Sequence, residues 1–426
     1  MKSLAIIKTT MGGGAAIMLG GLLAAAPAAQ ASSWRTVPCA TQALIAAINA
    51  ANSSGGATIN LAPRCAYHLT TASSPNAQLG DTGLPVITSQ VTLNGFRTTI
   101  AGNDSSFRIL MVTASGRLTL RGLTITGGKT PGPGGGIFNL EGTLVLSNTQ
   151  VTGNTSAGGM MSAGGGIASG TLGTGPLGTT VLDSSRVDDN TSSGSAGGIL
   201  NHGGTLILNA SKVDDNTAAN GGGGIASGTG GMGGAGSSIL VLNASKVDDN
   251  TANGGPMAGA GGIANGGTAT ISSSEVAGNT APGAAGGGIL NHGVMTISQS
   301  RVTGNTAPAD SVGDQGIGGG IANINLGQVA PGAVNGGILT ITFSQVSRNT
   351  ASGQGGGIFE ATITATGTSA GNALTLAFSN VTGNQAAQGG GIFAVPGSPV
   401  TLVFTGVARN TPDNCFPPGS ILGCKG

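Results

Sequence analysis

The sequence predicts an all-β protein, built as a single right-handed, three-faced parallel β-helix with a short N-terminal capping helix. Two signals, Gly-Gly-Ile and Ser/Thr-x-Val-x-x-Asn, each occur nine times and alternate strictly, with a short apolar run between them. Self-similarity of this kind is typical of a solenoid, in which each repeat forms one coil and stacks on the next. The compact repeats are 26 residues long, which accommodates three short strands per coil.

The apolar positions of the repeat predict columns of inward side chains. Short runs rich in Val, Ile, Leu and Thr, bounded by Gly and Asn, are typical of strands rather than helices. Parallel pairing places the same position of consecutive coils about 4.8 Å apart, and each buried member of a column contributes roughly 1.5–3 kcal/mol. The first column comprises Ile137, Ile167, Ile199, Ile225, Ile263, Ile289, Ile321, Ile358 and Ile392, and the valine column comprises Val151, Val187, Val213, Val247, Val276, Val302, Val346, Val381 and Val407.

The asparagines of the second signal predict a buried ladder of amides. Each amide both donates and accepts hydrogen bonds, so stacked asparagines satisfy the polar groups of a buried corner. We interpret them, with the Ser/Thr column two residues before each valine, as structural rather than catalytic. The glycines before each isoleucine are expected to adopt positive φ at a tight corner. The ladder comprises Asn154, Asn190, Asn216, Asn250, Asn279, Asn305, Asn349, Asn384 and Asn410.

The composition is unusual for a chain of 426 residues. Charged residues make up 7% and aromatic residues 3%, while 83 positions are glycine. These values exclude a conventional large core and favour a fold that needs glycine at regular positions. The formal charge is +1 and becomes −1 without the first thirty-one residues. The overall charge therefore gives no reason to expect nucleic acid or an anionic membrane as partner.

Residues 1–31 predict a secretory signal peptide. Lys2 and Lys8 supply a positive start, residues 11–26 are almost free of polar side chains, and Ala29 and Ala31 form a small-x-small cleavage pattern. A transmembrane anchor is the alternative, but the apolar run is rich in glycine and alanine and shorter than a typical spanning helix. We expect no membrane span in the mature protein.

The mature chain is predicted to divide into two caps and a repeat region. A helix over residues 40–52 has Leu44, Ile45 and Ile48 on one face, which suits it to cover the first coil. Three prolines, at 412, 417 and 418, end strand addition at the other end. The predicted segments are the N-terminal cap over 32–66, the β-helix repeats over 67–411 and the C-terminal cap over 412–426.

Four cysteines indicate disulfides in an exported protein. Nearness along the chain favours Cys39 with Cys65 and Cys415 with Cys424, although four cysteines allow three connectivities. Zinc is the alternative, and it is less favoured because the chain has no Cys-x-x-Cys and only three histidines. With the leader, this pattern predicts a secreted protein outside the cell or at its surface.

The two repeat signals resemble those of the polymorphic outer membrane proteins, Gly-Gly-apolar-apolar and Phe-x-x-Asn, with valine in place of the phenylalanine. Residues 39–52 resemble a degenerate form of the Cys-Ser-Leu-Arg-Glu-Ala opening of some exported β-helix proteins. The resemblance covers about residues 39–410 and implies a bacterial β-helix passenger outside the cell, with adhesion as its role. Only sixteen residues follow Asn410, so we expect no translocating β-barrel.

Three Asp-Asp pairs on consecutive repeats form the strongest candidate site. Their six carboxylates are expected to line one strip, where they would hold Ca²⁺ or act as the acid pair of a glycoside hydrolase. The alternative is neutralisation, because Arg186, Lys212 and Lys246 lie two residues before the pairs and share their face. We predict no other cofactor and no catalytic residue, and interpret His202 and His292 as turn residues. The six are Asp188, Asp189, Asp214, Asp215, Asp248 and Asp249.

Unequal repeat lengths predict loops along one edge of the stack. The insertions lie over 169–179, 227–238, 324–337 and 360–373, and they either wall a groove or are tolerated surface loops. The favoured function is a non-catalytic exported protein, adhesin-like or binding an extended polysaccharide or cell-surface ligand, and monomeric. The alternative is a polysaccharide lyase or glycoside hydrolase acting in the groove. The β-helix fold by itself does not decide between them.

Overall fold

The structure, a computed structural model, describes residues 36–103, 106–158, 163–170, 177–228, 238–254, 259–325, 337–362 and 373–425. The predicted leader lies outside the described residues. Among those described, no helix has the length and apolar character needed to cross a membrane.

The chain winds into a parallel β-helix, as the repeat predicts. Strands pair in parallel with the strands of the coils before and after them, and equivalent repeat positions lie in register. Ile167 pairs with Ile199, and Val187 pairs with Val213. The register that the two signals imply is therefore the register of the fold.

The isoleucine face is formed by the strands that begin at or near the Gly-Gly-Ile signal. Their inward isoleucines are fully buried. The strands are Leu110–Val112, Ile137–Leu140, Ile167–Gly170, Ile199–His202, Ile225–Ser227, Ile263–Asn265, Ile289–Asn291, Ile321–Asn325, Ile358–Thr362, Ile392–Ala394 and Cys415–Phe416.

The long-strand face follows, with two inward apolar positions per strand. Leu144 and Leu146 are typical, since both are fully buried while their neighbours face outward. The strands are Gly56–Asn60, Gln90–Gly102, Arg117–Thr126, Thr143–Ser147, Thr179–Asp183, Thr205–Asn209, Ile239–Asn243, Thr268–Ser272, Val294–Ser298, Ile338–Thr342, Ala373–Ala377 and Val400–Val403. Gln90–Gly102 and Arg117–Thr126 continue around the corner onto the next face.

The short-strand face carries the valine column and ends at the asparagine corner. Its strands are Ala66–Leu69, Gln150–Thr152, Arg186–Asp188, Lys212–Asp214, Lys246–Asp248, Glu275–Ala277, Arg301–Thr303, Gln345–Ser347, Asn380–Thr382 and Gly406–Ala408. A further row of short strands, which the sequence did not reveal, joins this corner to the next Gly-Gly-Ile. It comprises Lys129–Thr130, Thr155–Ser156, Thr191–Ser195, Thr217–Gly222, Thr251–Ala252, Gly259–Ala260, Thr306–Ala307 and Thr350–Ala351.

The N-terminal cap contains the helix Thr41–Ser53, which buries Leu44, Ala47, Ile48 and Ala51. The helix is tied to the first coils by the Cys39–Cys65 disulfide. At the other end, Cys415–Cys424 closes the tail, and Ile421 is buried in the same core as the columns. Both disulfides match the favoured connectivity, and they indicate an oxidising compartment.

The glycines before each isoleucine serve two purposes, of which only the positive φ was expected. Positive φ occurs three residues before the isoleucine, at Gly164 (+64°) and at Ala196 (+60°). The glycine next to the isoleucine is instead required by close stacking. A Cβ atom added to Gly198 would lie 2.7 Å from the carbonyl oxygen of Gly224 and 2.9 Å from the side-chain Nδ2 of Asn216. Adjacent coils thus pass each other at backbone contact.

Candidate functional site

The asparagine column forms a continuous hydrogen-bonded ladder inside the coil. Asn190 Nδ2 donates to Asn216 Oδ1 at 3.0 Å and to the carbonyl oxygen of Val151 at 2.9 Å. The backbone N–H of Asn190 donates to the same Asn216 oxygen. The pattern repeats from Asn154 to Asn410, and Asn414 accepts the last pair of bonds. These amides are occupied by the fold.

The hydroxyls two residues before each valine form a parallel ladder. The backbone N–H of Ser211 donates to Ser245 Oγ at 3.1 Å, and Ser211 Oγ donates to the carbonyl oxygen of Asn209 at 2.8 Å. Because each hydroxyl both accepts and donates within the wall, this column holds the corner rather than facing a ligand.

Two of the three aspartates in the short strands, Asp214 and Asp248, are neutralised by cations, whereas Asp188 is held mainly by neutral side chains. Arg186 makes two hydrogen bonds with Asp214, one of them from Nε to Oδ1 at 2.9 Å. Lys212 Nζ lies 3.0 Å from Asp214 Oδ2 and 3.2 Å from Asp248 Oδ2. Asp188 accepts from Gln150 at 2.9 and 3.1 Å and from Thr152 at 3.0 Å. The interpretation as mutual neutralisation therefore describes Asp214 and Asp248, while the nearest cation to Asp188, Arg186 of its own coil, lies 3.7 Å away.

The pairs form between coils, and the ladder extends beyond the residues that the sequence singled out. Arg186 lies closer to Asp214 of the next coil than to Asp188 of its own, which is 3.7 Å away. Lys246 pairs with Glu275 at 3.0 Å, and Arg301 pairs with the other oxygen of Glu275 at 3.2 Å. A charged ladder thus runs along the coils from Arg186 to Arg301, and we call it the ion-pair ladder.

The titration of these carboxylates follows from burial and from their partners. Burial raises the pKa of Asp188 and of Asp248 above the usual range. Burial acts the same way on Asp214, but hydrogen bonds from Arg186 and Lys212 outweigh it and lower the pKa of Asp214. Hydrogen bonding from Lys246 lowers the pKa of Glu275. The ladder therefore stabilises ionised Asp214 and Glu275 most.

The second aspartate of each pair occupies a corner rather than a strand. Asp189, Asp215 and Asp249 have φ of +54°, +56° and +55°, a conformation that aspartate tolerates better than most residues. Burial raises the pKa of Asp215, and its acidic neighbours Asp214, Asp189 and Asp249 add to the effect. The six carboxylates thus form two adjacent rows. The corner geometry gives a structural reason for three of them.

Calcium at the aspartates stays a prediction. Among the described residues, no three His, Cys, Asp or Glu side chains come together in an arrangement that would hold a metal ion. The insertions expected to wall a groove lie mostly outside the described residues, at 171–176, 229–237, 326–336 and 363–372. The groove, and the enzymatic alternative that depends on it, also stay predictions.

The two histidines that share a repeat position are held by the fold in different ways. His202 is the last residue of the strand Ile199–His202, so its interpretation as a turn residue is wrong. His292 lies in the turn after Ile289–Asn291, with Nδ1 2.9 Å from the carbonyl oxygen of Ile324. Burial lowers the pKa of His292, so the ring stays neutral at physiological pH.

Three phenylalanines that the sequence analysis passed over form an exposed stack. The ring centroids of Phe343 and Phe378 are 5.1 Å apart, and those of Phe378 and Phe404 are 5.2 Å apart, with nearly parallel planes. The three residues are 63%, 50% and 82% exposed. They occupy the corner between the long-strand and short-strand faces on the coils of Val346, Val381 and Val407. We call this feature the phenylalanine ridge.

Neither backbone conformation nor burial favours phenylalanine at this corner. The φ angles of Phe343, Phe378 and Phe404 are +49°, +50° and +46°, which costs an L-residue roughly 1–2 kcal/mol. The equivalent position holds small or polar residues on earlier coils, such as Ala210 and Ala244 at +46° and +49°. A signal was readable in the sequence, since Phe precedes the Ser/Thr of the second signal in three consecutive repeats and in no earlier one.

Polar side chains flank the ridge on both sides. Gln345 and Asn380 are exposed two residues beyond their phenylalanines, and Thr375 and Thr401 face outward on the preceding strands. A second stack, formed by Phe359, Phe393 and Phe416 at 5.5 and 5.4 Å, packs in a hydrophobic cluster instead. The chain thus has one aromatic stack that supports the wall and one that faces solvent.

Comparison with known proteins gives a likeness to a solved structure. No protein-family model and no curated protein matches the chain, so the resemblance to polymorphic outer membrane proteins stays a prediction. Among solved structures, the A-module of the mannuronan C-5 epimerase AlgE6 from Azotobacter vinelandii is similar, with a TM-score of 0.47 and 13% identity. The match covers 87% of this chain and 96% of that one. At this degree of similarity, we transfer no activity, substrate or residue role to this chain.

Proposed function

We propose that this protein is an exported, non-catalytic β-helix that binds an extended polysaccharide at the cell surface or outside the cell, in an adhesin-like role. The observation that carries the proposal is the phenylalanine ridge. A pyranose ring has one face of C–H groups and a rim of hydroxyls. The phenylalanine rings offer a surface for the C–H face, and the flanking amides and hydroxyls offer hydrogen-bond partners for the sugar hydroxyls.

The repeat of the ridge suits a repeating ligand. Its rings recur once per coil, 5.1 and 5.2 Å apart, so a polymer running along the axis would meet the same contact on each coil. Several weak contacts in series give useful avidity without any deep pocket. The charged residues of the ion-pair ladder bind one another, which supports a structural role for that strip.

Export is part of the same proposal. The disulfides Cys39–Cys65 and Cys415–Cys424 support an oxidising destination. The leader over 1–31 would supply the route, and N-terminal sequencing of the protein recovered from the culture medium tests it. A mature chain beginning at residue 32 is expected.

A depletion assay on insoluble xylan and amorphous cellulose tests the binding. The triple variant Phe343→Ala, Phe378→Ala, Phe404→Ala should lose binding by about tenfold or more, because all three apolar contacts are removed. Val312→Ala is the matched control, since Val312 is an exposed apolar residue, 81% accessible, on a loop away from the ridge. Equal binding by the triple variant and the native protein would contradict the proposal.

The same incubations separate binding from catalysis. New reducing ends or unsaturated products, with or without added Ca²⁺, would replace the non-catalytic proposal by the lyase or hydrolase alternative. Polygalacturonate is included in the panel because it is a substrate of both reaction types. Loss of such activity on changing Asp188 and Asp214 to Asn would place the site on the ion-pair ladder.

A further inference from the structure

Four arginines lie exposed on three consecutive coils at the N-terminal end of the solenoid: Arg64, Arg97, Arg117 and Arg121. The backbone N–H of Arg64 donates to the carbonyl oxygen of Phe96 at 2.9 Å, so the Arg64 corner stacks on the Phe96–Arg97 corner. Arg121 follows on the next coil, opposite Asn94. Arg64 and Arg97 therefore lie on neighbouring coils of one corner, and Arg121 lies beside that corner on the next coil. Arg117 lies at the other end of its strand, opposite Gln90.

The fold supplies these guanidinium groups with no ionic partner among the described residues. Among the described residues, the four arginines make no ion pair and no side-chain hydrogen bond. Arg108, in the same part of the chain, is a contrasting case. It is fully buried, and its guanidinium donates to the carbonyl oxygens of Pro133, Gly80 and Leu79. A structural arginine in this protein is thus enclosed by acceptors, and the exposed four are not.

The corner of Arg97 also carries an aromatic ring. Phe96 is 60% exposed, and the guanidinium carbon of Arg97 lies 5.8 Å from its ring centroid. None of the ion pairs among the described residues involves these four arginines, so they are available to pair with an external anion.

We propose that Arg64, Arg97 and Arg121, with Phe96, form a binding site for an acidic polysaccharide. A guanidinium group donates two parallel hydrogen bonds to a carboxylate or sulfate, and the phenylalanine ring packs against the C–H face of a sugar. Exposed cations on three consecutive coils suit an anion that recurs along a polymer. The site goes beyond the proposed function, since it uses none of the ridge residues and stands if neutral polysaccharides do not bind.

The main rival occupant is a second copy of this chain. Asp189, Asp215 and Asp249 recur once per coil and belong to a different corner, so two copies offer complementary charges. Exposed pairs of this kind contribute about 0.2–1 kcal/mol each. The Phe96 ring beside Arg97 has no counterpart in the aspartate row, and it favours the polysaccharide.

Affinity electrophoresis and calorimetry with soluble polygalacturonate test the site. The native protein should bind polygalacturonate more tightly than its carboxyl-reduced, neutral derivative, and the affinity should fall as salt rises. The triple variant Arg64→Gln, Arg97→Gln, Arg121→Gln should bind polygalacturonate at least about tenfold more weakly. Arg348→Gln with Arg409→Gln is the matched control, because these two arginines are also exposed and unpaired within the described chain, at the opposite end.

The outcomes distinguish this site from the ridge and from general polyanion binding. Dextran sulfate in a parallel arm reports whether sulfate serves as well as carboxylate. Equal affinity for the neutral derivative, equal loss in the control variant, or equally tight binding of double-stranded DNA would each overturn the inference. So would salt-sensitive self-association that the arginine variant abolishes. Loss of xylan binding in the phenylalanine variant with retention of polygalacturonate binding would confirm two separate sites. Thermal unfolding of each variant checks that it is folded.

Discussion

The coils of Val187, Val213 and Val247 share one interior with the coils of Val346, Val381 and Val407, but the two groups have different exteriors. Inside, both present isoleucine, valine and asparagine at the same register positions. Outside, the first group carries the ion-pair ladder and the second carries the phenylalanine ridge. The interior is set by stacking, whereas the exterior varies from coil to coil. Function in this fold is therefore expected where the outward residues depart from the repeat without a structural reason.

The largest effect should come from the shared interior and should be the same in both groups. Asn216→Ala and Asn384→Ala each remove an amide that donates to a buried carbonyl oxygen and to the next asparagine. Each leaves the preceding asparagine without its acceptor, so we expect a loss of roughly 2–4 kcal/mol in the free energy of unfolding. Urea titration measures it. A loss below about 1 kcal/mol at either position would show that the ladder contributes little.

A smaller effect should distinguish the two exteriors. Asp214→Ala removes the shared partner of Arg186 and Lys212, two cations that are themselves partly exposed, so we expect a loss of about 1–2 kcal/mol. Thr382→Ala alters the equivalent position of the ridge group, where no ion pair forms, and should change stability by less than about 0.5 kcal/mol. Equal losses in the two variants would mean that the ion-pair ladder does not stabilise its coils.

The pH dependence of that loss follows from the lowered pKa of Asp214. A carboxyl whose pKa is lower in the folded state contributes stability above its unfolded pKa and loses it as the pH falls through the folded value. The difference in the free energy of unfolding between the native protein and Asp214→Asn should therefore be constant near neutral pH. It should shrink as the pH falls below about 4. Denaturant unfolding at a series of pH values measures this difference. If this difference in unfolding free energy already disappeared near neutral pH, the assignment of a lowered pKa to Asp214 would be wrong.

The smallest effect is a gain. Gln299 occupies the corner one coil before Phe343, with φ of +49°, so Gln299→Phe should extend the ridge to four rings. We expect the affinity for xylan to rise by about threefold, with little change in unfolding because the corner already has the required conformation. Ser273→Phe, two coils before Phe343, leaves a gap in the stack and is the control. An equal gain in both variants would indicate non-specific hydrophobic binding.

The interior was predictable because it obeys one rule repeated nine times. Ile137, Val151 and Asn154 identify their columns from spacing alone, and the structure places each in register with its equivalents. The disulfide pairing followed from nearness along the chain. The positive φ of glycines such as Gly164 was predicted, but the close stacking at Gly198 was not, because a sequence does not show how closely the next coil approaches.

The exterior was less predictable for a physical reason. Pairing between coils depends on side-chain reach, so the partner of Lys246 proved to be Glu275 rather than the aspartate two residues away. The ridge was overlooked because Phe343 and Phe404 resemble ordinary strand residues in a linear sequence, and only the corner geometry exposes them. The sequence points to Asp188 and Asp214 only because acidic residues cluster there, and both side chains make hydrogen bonds within the fold.

The hydrogen bonds of the asparagine ladder all run in one direction along the solenoid axis, and the ladder ends at Asn414. Every amide in the row points its nitrogen toward the later coil, so the small dipoles add instead of cancelling. At the start of the ladder, the backbone N–H of Gly128 donates to Asn154 Oδ1. At its end, Asn410 Nδ2 donates to Asn414 Oδ1, which takes the place of the asparagine of a further repeat. A coil inserted between Gly128 and Asn414 would form the same asparagine hydrogen bonds with the coil before it and the coil after it. Duplicating one 26-residue unit, such as 199–224, should lengthen the protein without reshaping it.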